Sequence, residues 1–213
     1  MRPKDRTGER QGILSLVLDR EAHERRLTGR VGLTLVDETL LALGVDRAVE
    51  RHVRVKQRAR GLDEAGMVRA FVVALAGGAE CLDDFRHLRS ESALLRMRES
   101  EMPSPDAARR FLYGFHDEES LKQAKAGRPE GVESFVPEES KALLGLGAVN
   151  REFVAAVCSE RGPVKQVTLD QDGTIIESHK REALAHYKKG RGYQPTLVYS
   201  PELQLVVHDE FRD

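Results

Sequence analysis

Two aspartates lie close together in a segment that otherwise has the composition of a strand. The stretch VTLDQDGTII, residues 167–176, is rich in β-branched residues and places Asp170 and Asp172 two positions apart. Because side chains alternate along a strand, both carboxylates fall on one face, about 7 Å apart by strand rise. Carboxylate oxygens suit Mg²⁺ or Mn²⁺, and pairs of such ions serve phosphoryl transfer. The spacing alone is equally typical of an Asp-Gly turn at Gly173.

A basic segment follows the two aspartates. Its cations could neutralise phosphates, and glycines at 190 and 192 would let another backbone approach closely. The alternative is a solvated helix whose glutamates pair with neighbouring lysines. His179 and His186 are interpreted as surface residues, since no third metal ligand accompanies them. The cations of this segment are Lys180, Arg181, Lys188, Lys189 and Arg191.

A second basic stretch, RAVERHVRVKQRARG, spans residues 47–61 and carries a single glutamate. It is consistent with a solvated helix face or loop, or with a phosphate-contacting patch. On charge alone the solvated face is favoured. The basic positions are Arg47, Arg51, Arg54, Lys56, Arg58 and Arg60.

Most of the chain before residue 160 has helical periodicity. Gly44 breaks the first pattern, Gly77 and Gly78 end a buried helix, and Pro103 interrupts a later one. The predicted helical segments are 34–50, 64–76, 80–97, 104–115, 117–125 and 140–159.

The segment PSPDAARRFLYGF begins with strong start signals for a helix. Ser104 is the predicted N-cap and Pro105 the first helical residue. Phe111, Leu112 and Phe115 are predicted to face a core. Because Arg109 and Arg110 lie beside them, a helix-turn-helix-like DNA-binding unit is one interpretation, although three-helix packings without DNA are common.

The pattern of apolar residues changes from helical to strand-like near residue 160. Residues 164–176 are rich in β-branched residues, and residues 196–211 predict two more strands around a Ser-Pro-Glu turn. These features predict an α+β chain: a mainly helical region over 1–160 and an antiparallel meander of three strands within 161–213. The strand before Asp170 is predicted to be buried on both faces, as a central strand would be.

Composition and net charge limit the classes of function that this protein can have. The net charge is −1, so nucleic-acid affinity would have to come from local patches. No apolar run approaches the length of a membrane helix, and the N-terminus lacks the apolar segment of a signal peptide. Cys81 and Cys158 lie far apart and are interpreted as reduced thiols of a cytosolic protein.

Several longer motifs carry a family resemblance. The stretch LDQDGTIIESHKREALAHYKKGRGYQP, followed by HDEFRD, resembles bacterial insertion-sequence transposases of the DDE class, whose catalytic domain has an RNase H-like fold. GGAECLDDFRHLRSE and PSPDAARRFL are similar to the N-terminal region of that family. The resemblance covers the chain from about residue 30 to its end.

The resemblance implies a site and a chemistry. Asp172 matches the first aspartate of the catalytic triad, with Asp170 as the alternative. The family binds two Mg²⁺ (or Mn²⁺) ions through three carboxylates, which activate water and then a DNA 3′-hydroxyl. The implied partners are double-stranded DNA, as terminal inverted repeats and target, and a second copy in a homodimer. The implied location is the bacterial cytoplasm, at the nucleoid. The residues implied to contact DNA are Arg109, Arg110, Lys180, Arg181, Lys188, Lys189 and Arg191.

The chain also departs from the family pattern. It ends at HDEFRD, and Asp209, Glu210 and Asp213 do not match the second aspartate or the glutamate of the triad. We therefore expect a truncated transposase that does not hold metal stably and is inactive alone. The alternative is a non-catalytic DNA-binding or dimerising protein that competes with the full-length enzyme. A purely structural helical protein is a third interpretation.

Overall fold

The computed structural model describes residues 28–56, 60–98, 101–127, 139–179, 183–186 and 188–210. The chain divides into two compact units, Met1–Gly114 and Phe115–Asp213. The domain division near residue 160, inferred from the change from helices to strands, stays a prediction. Helices followed by antiparallel strands confirm the predicted α+β class.

The first unit is helical throughout its described part. Gly44 adopts a left-handed conformation with φ of 76° and separates the first two helices, as its place in the sequence predicted. The helices are α1 (Gly32–Ala42), α2 (Val45–His52), α3 (Glu64–Ala76), α4 (Phe85–Ser90), α5 (Ser92–Met97) and α6 (Pro105–Tyr113), with a 3₁₀ turn at Leu82–Asp84.

Side-chain caps fix where two of these helices begin. The Asp63 carboxylate accepts a hydrogen bond from the Gly66 N–H at 2.7 Å at the start of α3. The Ser104 hydroxyl accepts one from the Ala107 N–H at 3.2 Å at the start of α6, where Pro105 is the first helical residue. The cap predicted for α6 is therefore confirmed.

Three phenylalanine rings connect α3, α4 and α6. Phe71 meets Phe85 edge to face at 5.2 Å and lies nearly parallel to Phe111 at 6.1 Å between ring centroids. The prediction that Leu112 faces the core is wrong, because its side chain is 47% exposed. The buried core around these rings consists of Leu33, Ala70, Val73, Ala74, Phe85, Leu88, Leu94, Met102 and Ala108.

A buried ionic cluster lies beside this core. The Arg69 guanidinium lies 3.0 Å from the Asp37 carboxylate and 2.8 Å from that of Asp46. Asp37 also lies 3.5 Å from Arg98, whose side chain is fully buried. The cluster joins α1, α2 and α3 to the residue that follows α5. Burial raises the pKa of Asp46, and Arg69 opposes that rise.

In its described part, the second unit combines two helices with two small sheets. Ser140 caps its longer helix by accepting the Leu143 N–H at 3.3 Å. The helices are α7 (Glu118–Gly127) and α8 (Lys141–Arg161), and the strands are β1 (Asp170–Gly173), β2 (Ile176–Glu177), β3 (Leu184–Ala185), β4 (Arg191–Tyr193), β5 (Thr196–Ser200) and β6 (Leu205–Glu210).

The predicted meander is an antiparallel sheet of order β1-β5-β6. The prediction of a central strand buried on both faces is wrong. The strand begins at Asp170 rather than at Val167, and Val167 and Leu169 are 50% and 63% exposed. The physical reason is that β1 pairs only with β5 among the described strands, so it forms the edge of this sheet.

A second small sheet, of order β2-β4-β3, interrupts the chain between β1 and β5. The alternative of a solvated helix is therefore wrong for the described part of this basic segment. Gly192 of β4 lies against β2 so closely that an added Cβ would stand 2.3 Å from the Ile176 carbonyl oxygen. Only glycine allows the two strands to approach to this distance.

Helix α8 is long and apolar enough to cross a membrane, by length and composition only. It is the one such helix among the described residues. Mostly buried core helices of soluble proteins pass the same test, whereas 11% of the apolar stretch of α8 is buried. Arg151 and Glu152 lie near its middle, and it packs against β6. These features favour a helix that covers a sheet.

Candidate functional site

The two aspartates of β1 lie on one exposed face of the sheet. Asp170 stands opposite Tyr199 and Asp172 opposite Leu197 in the antiparallel register with β5. Directly opposed side chains share a face. Both carboxylates are solvent-exposed, and they are separated by Gln171, which points to the other side. The strand therefore presents a pair of oxygen ligands to solvent.

A third carboxylate lies on the same face. Leu197 pairs with Asp172 on one side and with Asp209 of β6 on the other. The backbones of Asp172 and Asp209 are thus separated by two strand spacings, about 10 Å. This distance is too long for both to ligate one ion. The sequence had placed Asp209 only in the last strand, because register across a sheet cannot be read from one strand alone.

The two carboxylates of β1 supply part of a binding site for a hard divalent cation. Carboxylate oxygens are the ligands that Mg²⁺ and Mn²⁺ prefer. Within the described ranges, no group of three or more histidine, cysteine, aspartate or glutamate residues could hold a metal ion. The structure thus supplies two neighbouring ligands, and a complete ion site needs further oxygens.

Glu202 anchors the segment that leads into β1. Its carboxylate accepts hydrogen bonds from the Thr168 N–H at 2.9 Å and the Thr168 hydroxyl at 2.6 Å. The Ser200 hydroxyl adds a bond at 3.3 Å. These bonds favour the ionised form and lower the pKa of Glu202 to about 2. Glu202 lies in the turn between β5 and β6, so it connects that turn to the residues just before Asp170.

The basic hairpin between β3 and β4 presents Lys188, Lys189 and Arg191 at the surface. Arg191 donates from Nε to the Ala183 carbonyl at 2.9 Å, which ties the two strands together. Lys189 adopts a left-handed conformation with φ of 66°. Lys180 and Arg181 lie outside the described residues.

His186 is buried at the base of this hairpin, so the interpretation of it as a surface residue is wrong. Its side chain is 6% exposed, and its Nδ1 accepts a hydrogen bond from the Lys188 N–H at 3.2 Å. Gly190 packs against the imidazole, since an added Cβ would stand 2.7 Å from Nε2. His186 and Gly190 therefore shape the turn that carries the lysines. His179 is exposed, as expected.

Arg109 and Arg110 lie on the exposed side of α6 in the first unit. Arg109 lies 3.7 Å from Asp106, one turn earlier, and both side chains are more than half exposed. Tyr113, at the end of the same helix, is 68% exposed. The rigid cap at Ser104 and the buried Phe111 fix the orientation of this face. The helix thus presents two cations and an aromatic ring to solvent.

Comparison with known proteins gives one match. A family model described as transposase DDE domain group 1 matches residues 17–212 of the chain. No curated protein and no solved structure matches it. The matched range includes both helical and strand segments, the β1 aspartates and the basic hairpin.

Proposed function

This chain belongs to the transposase DDE domain family, and on that premise we propose that it acts in DNA transposition. The reaction is divalent-metal-dependent cleavage of phosphodiesters at terminal inverted repeats, followed by joining of the freed end to a target. The observation that carries the proposal is the exposed carboxylate pair of β1 within the matched range.

The sheet supports an RNase H-like catalytic domain. The support is the antiparallel order β1-β5-β6 with the carboxylates on β1, which we propose to be the first three strands of that fold. Among the described strands, the far edge of β1 is unpaired, which leaves room for a further strand beside the carboxylates.

Asp172 is the proposed first ligand of the catalytic metal, with Asp170 as the alternative. When bound, a pair of Mg²⁺ or Mn²⁺ ions would activate the attacking hydroxyl and stabilise the charge on the leaving oxygen. The chain's own role is to hold the carboxylates on a fixed strand. Leu197 lies between Asp172 and Asp209, and Glu202 fixes the backbone just before Asp170.

The described residues are not expected to cleave DNA by themselves. Two carboxylates leave most coordination positions of two ions to water, and Asp209 is too distant to join Asp172 on one ion. Further carboxylates have to come from outside the described ranges or from a second copy in a homodimer. The metal is therefore held weakly by this pair alone.

Basic side chains supply the proposed contacts to double-stranded DNA. Arg109 and Arg110 on α6 are exposed, as are Lys188, Lys189 and Arg191 on the hairpin. Such cations contact phosphates and position the duplex without reading its sequence. Lys180 and Arg181 are also proposed to contact DNA, on the basis of the sequence alone. A DNA-acting role places the protein in the bacterial cytoplasm, at the nucleoid.

A non-catalytic role is the second candidate. The observation that favours it is that α6 belongs to one compact unit and the β1 carboxylates belong to the other. A chain that binds terminal repeats without cleaving them would compete with an active transposase.

A cleavage and binding assay distinguishes these roles. The full chain is incubated with an end-labelled duplex carrying the terminal repeat, or a scrambled duplex, in Mg²⁺ or Mn²⁺. Cleavage that disappears in Asp172→Ala would establish catalysis and overturn the expected inactivity. Repeat-specific binding without cleavage would support the competitor role. Absence of binding even at low salt would contradict both roles.

A further inference from the structure

One ring nitrogen of His186 is buried without a hydrogen-bond partner. The side chain is 6% exposed, and among the described residues no donor or acceptor pairs with its Nε2. The other ring nitrogen, Nδ1, accepts a hydrogen bond from the Lys188 N–H at 3.2 Å. A ring nitrogen that accepts carries no proton, so the neutral imidazole holds its proton at Nε2. Buried polar groups are normally hydrogen-bonded, so this N–H is an exception in the fold.

His186 organises the turn between β3 and β4 from the inside. Its N–H donates to the Gly190 carbonyl at 3.1 Å, and its carbonyl accepts from the Lys189 N–H at 3.0 Å. Gly190 packs so tightly on the ring that an added Cβ would stand 2.7 Å from Nε2. Lys189 is held in a left-handed conformation, which is unfavourable for a residue other than glycine. The turn therefore depends on hydrogen bonds that converge on His186.

Only the neutral imidazole is compatible with this arrangement. When Nδ1 takes up a proton from solvent, it changes from an acceptor into a donor and then faces the Lys188 N–H, which is also a donor. The Nε2–H still lacks an acceptor, and burying an unpaired positive charge is costly. The protonated ring is stable only in contact with water, so the turn has to open to hydrate it.

The surrounding charges do not offer the protonated ring a partner. Lys188 and Lys189 lie on the same turn and carry the same sign as an imidazolium. Within the described part of this sheet, the one carboxylate is that of Glu177, which is exposed on β2 in register with Gly192. The charged or titratable side chains that accompany His186 in the described part of the sheet are Glu177, His179, Lys188, Lys189, Arg191 and Tyr193.

We propose that His186 is a pH-sensitive switch for the basic hairpin. Its neutral ring holds the turn closed, and its protonation opens the turn that carries Lys188 and Lys189. Because the closed turn accepts only the neutral ring, it is favoured at higher pH and lost as pH falls. Histidine side chains change charge between about pH 8 and pH 5, so the switch works within that range. The inference concerns the conformation of the hairpin and stands whether or not the chain acts on DNA.

Nuclear magnetic resonance of the isotopically labelled full chain tests the switch. The ¹⁵N shifts of the imidazole report where its proton lies, and the backbone amide signals of Lys188 and Lys189 report the turn. At the upper end of the pH range we expect the proton on Nε2 and a single ordered turn. As pH falls, the two amide signals should move toward the positions of a disordered chain in parallel with protonation of the His186 ring.

Three results would overturn the proposal. The first is a turn that keeps its amide shifts while His186 is protonated. The second is a ring that stays neutral throughout the range, or whose neutral form carries its proton on Nδ1. The third is a simultaneous loss of the amide signals of β5 and β6, because it would mean that the whole unit unfolds and that no local switch exists.

The variant His186→Asn isolates the titrating proton. Its amide oxygen can replace Nδ1 as the acceptor for the Lys188 N–H, but it does not titrate. We expect it to keep the turn at the upper end of the pH range and to abolish the response to acid. His179→Asn is the matched control, since it removes an exposed histidine of the same segment and should leave the response unchanged. A response that survives in His186→Asn would contradict the switch. If this variant lacks the turn at every pH, the parallel titration of ring and turn in the unsubstituted chain decides.

Discussion

The carboxylate of Glu202 accepts two hydrogen bonds from Thr168, one from the backbone N–H at 2.9 Å and one from the hydroxyl at 2.6 Å. Thirty-four residues separate the two along the chain. The contact joins the β5–β6 turn to the segment that enters β1, two residues before Asp170. Positioning of the candidate metal ligand therefore depends on a residue that is not itself a ligand.

The first prediction concerns the pH dependence of this contact. The pKa of Glu202 is lowered to about 2 in the folded chain, against an ordinary value of 4.5. A lowered acid pKa stabilises the fold above the unfolded value, and that stabilisation is lost as pH falls from about 4.5 toward 2. The protection factor of the Thr168 amide, which corrects for the pH dependence of the intrinsic exchange rate, is expected to fall over this range.

The variant Glu202→Gln tests whether the charge of this carboxylate causes the pH dependence. It keeps the side-chain shape but loses the charge, so the protection factor of the Thr168 amide should be lower at neutral pH and nearly independent of pH between 4.5 and 2. A control at Glu160, which is exposed on α8, should leave the profile of Thr168 unchanged. An unchanged profile in Glu202→Gln would show that the contact does not control this segment.

The second prediction concerns the buried ionic cluster. Arg69→Met removes the cation that lies between Asp37 and Asp46 and leaves Asp37 buried beside Arg98 alone. The loss of one partner of a buried pair costs about 3–5 kcal/mol in the free energy of unfolding. Urea denaturation followed by circular dichroism measures the change.

Arg86→Met is the matched control for this substitution. Arg86 pairs with Asp83 at 3.3 Å, but both side chains are about 70% exposed. Solvent screens such pairs, so the expected change in unfolding free energy is below about 1 kcal/mol. Equal effects of the two substitutions would contradict the proposed importance of burial.

The third prediction concerns the close approach of β2 and β4. Gly192→Ala would place a Cβ 2.3 Å from the Ile176 carbonyl oxygen, so the strands have to separate. We expect a loss of about 1–3 kcal/mol, as for other overpacked sites. Gly173→Ala on β1 is the control, since its nearest neighbour would be the Thr196 hydroxyl at 4.0 Å. Thermal unfolding of both variants measures the difference, and a similar loss in Gly173→Ala would exclude the steric explanation.

The helices could be predicted from the sequence because their signals are local. Asp63 and Ser104 cap through residues three positions later, and Gly44 breaks a helix through its own conformation. A chain segment of a few residues contains all the information that such features require. The family resemblance, which rested on longer motifs, is confirmed by the match over residues 17–212.

The features that could not be predicted depend on residues far apart in sequence. Leu112 has the hydrophobicity of a core residue, but Phe111 occupies the inward position beside Phe71. His186 is an exception, because the turn that buries it depends on Gly190, only four residues later. The exposure of Leu169 follows from the pairing of β1 on one edge only, which composition does not reveal.

The last prediction separates Asp170 from Asp172. Mn²⁺ added to the isotopically labelled chain should broaden the amide signals nearest the bound ion. We expect Asp172→Asn to abolish most of this broadening near Leu197, because Asp172 lies on β1 directly opposite Leu197 of β5. Asp170→Asn should weaken it less, and Asp209→Asn should leave it nearly unchanged, because Asp209 lies about 10 Å away across the sheet. A stronger effect of Asp170→Asn would assign the first ligand to Asp170 instead. Broadening that survives in the double variant Asp170→Asn/Asp172→Asn would show that Mn²⁺ binds elsewhere on the chain.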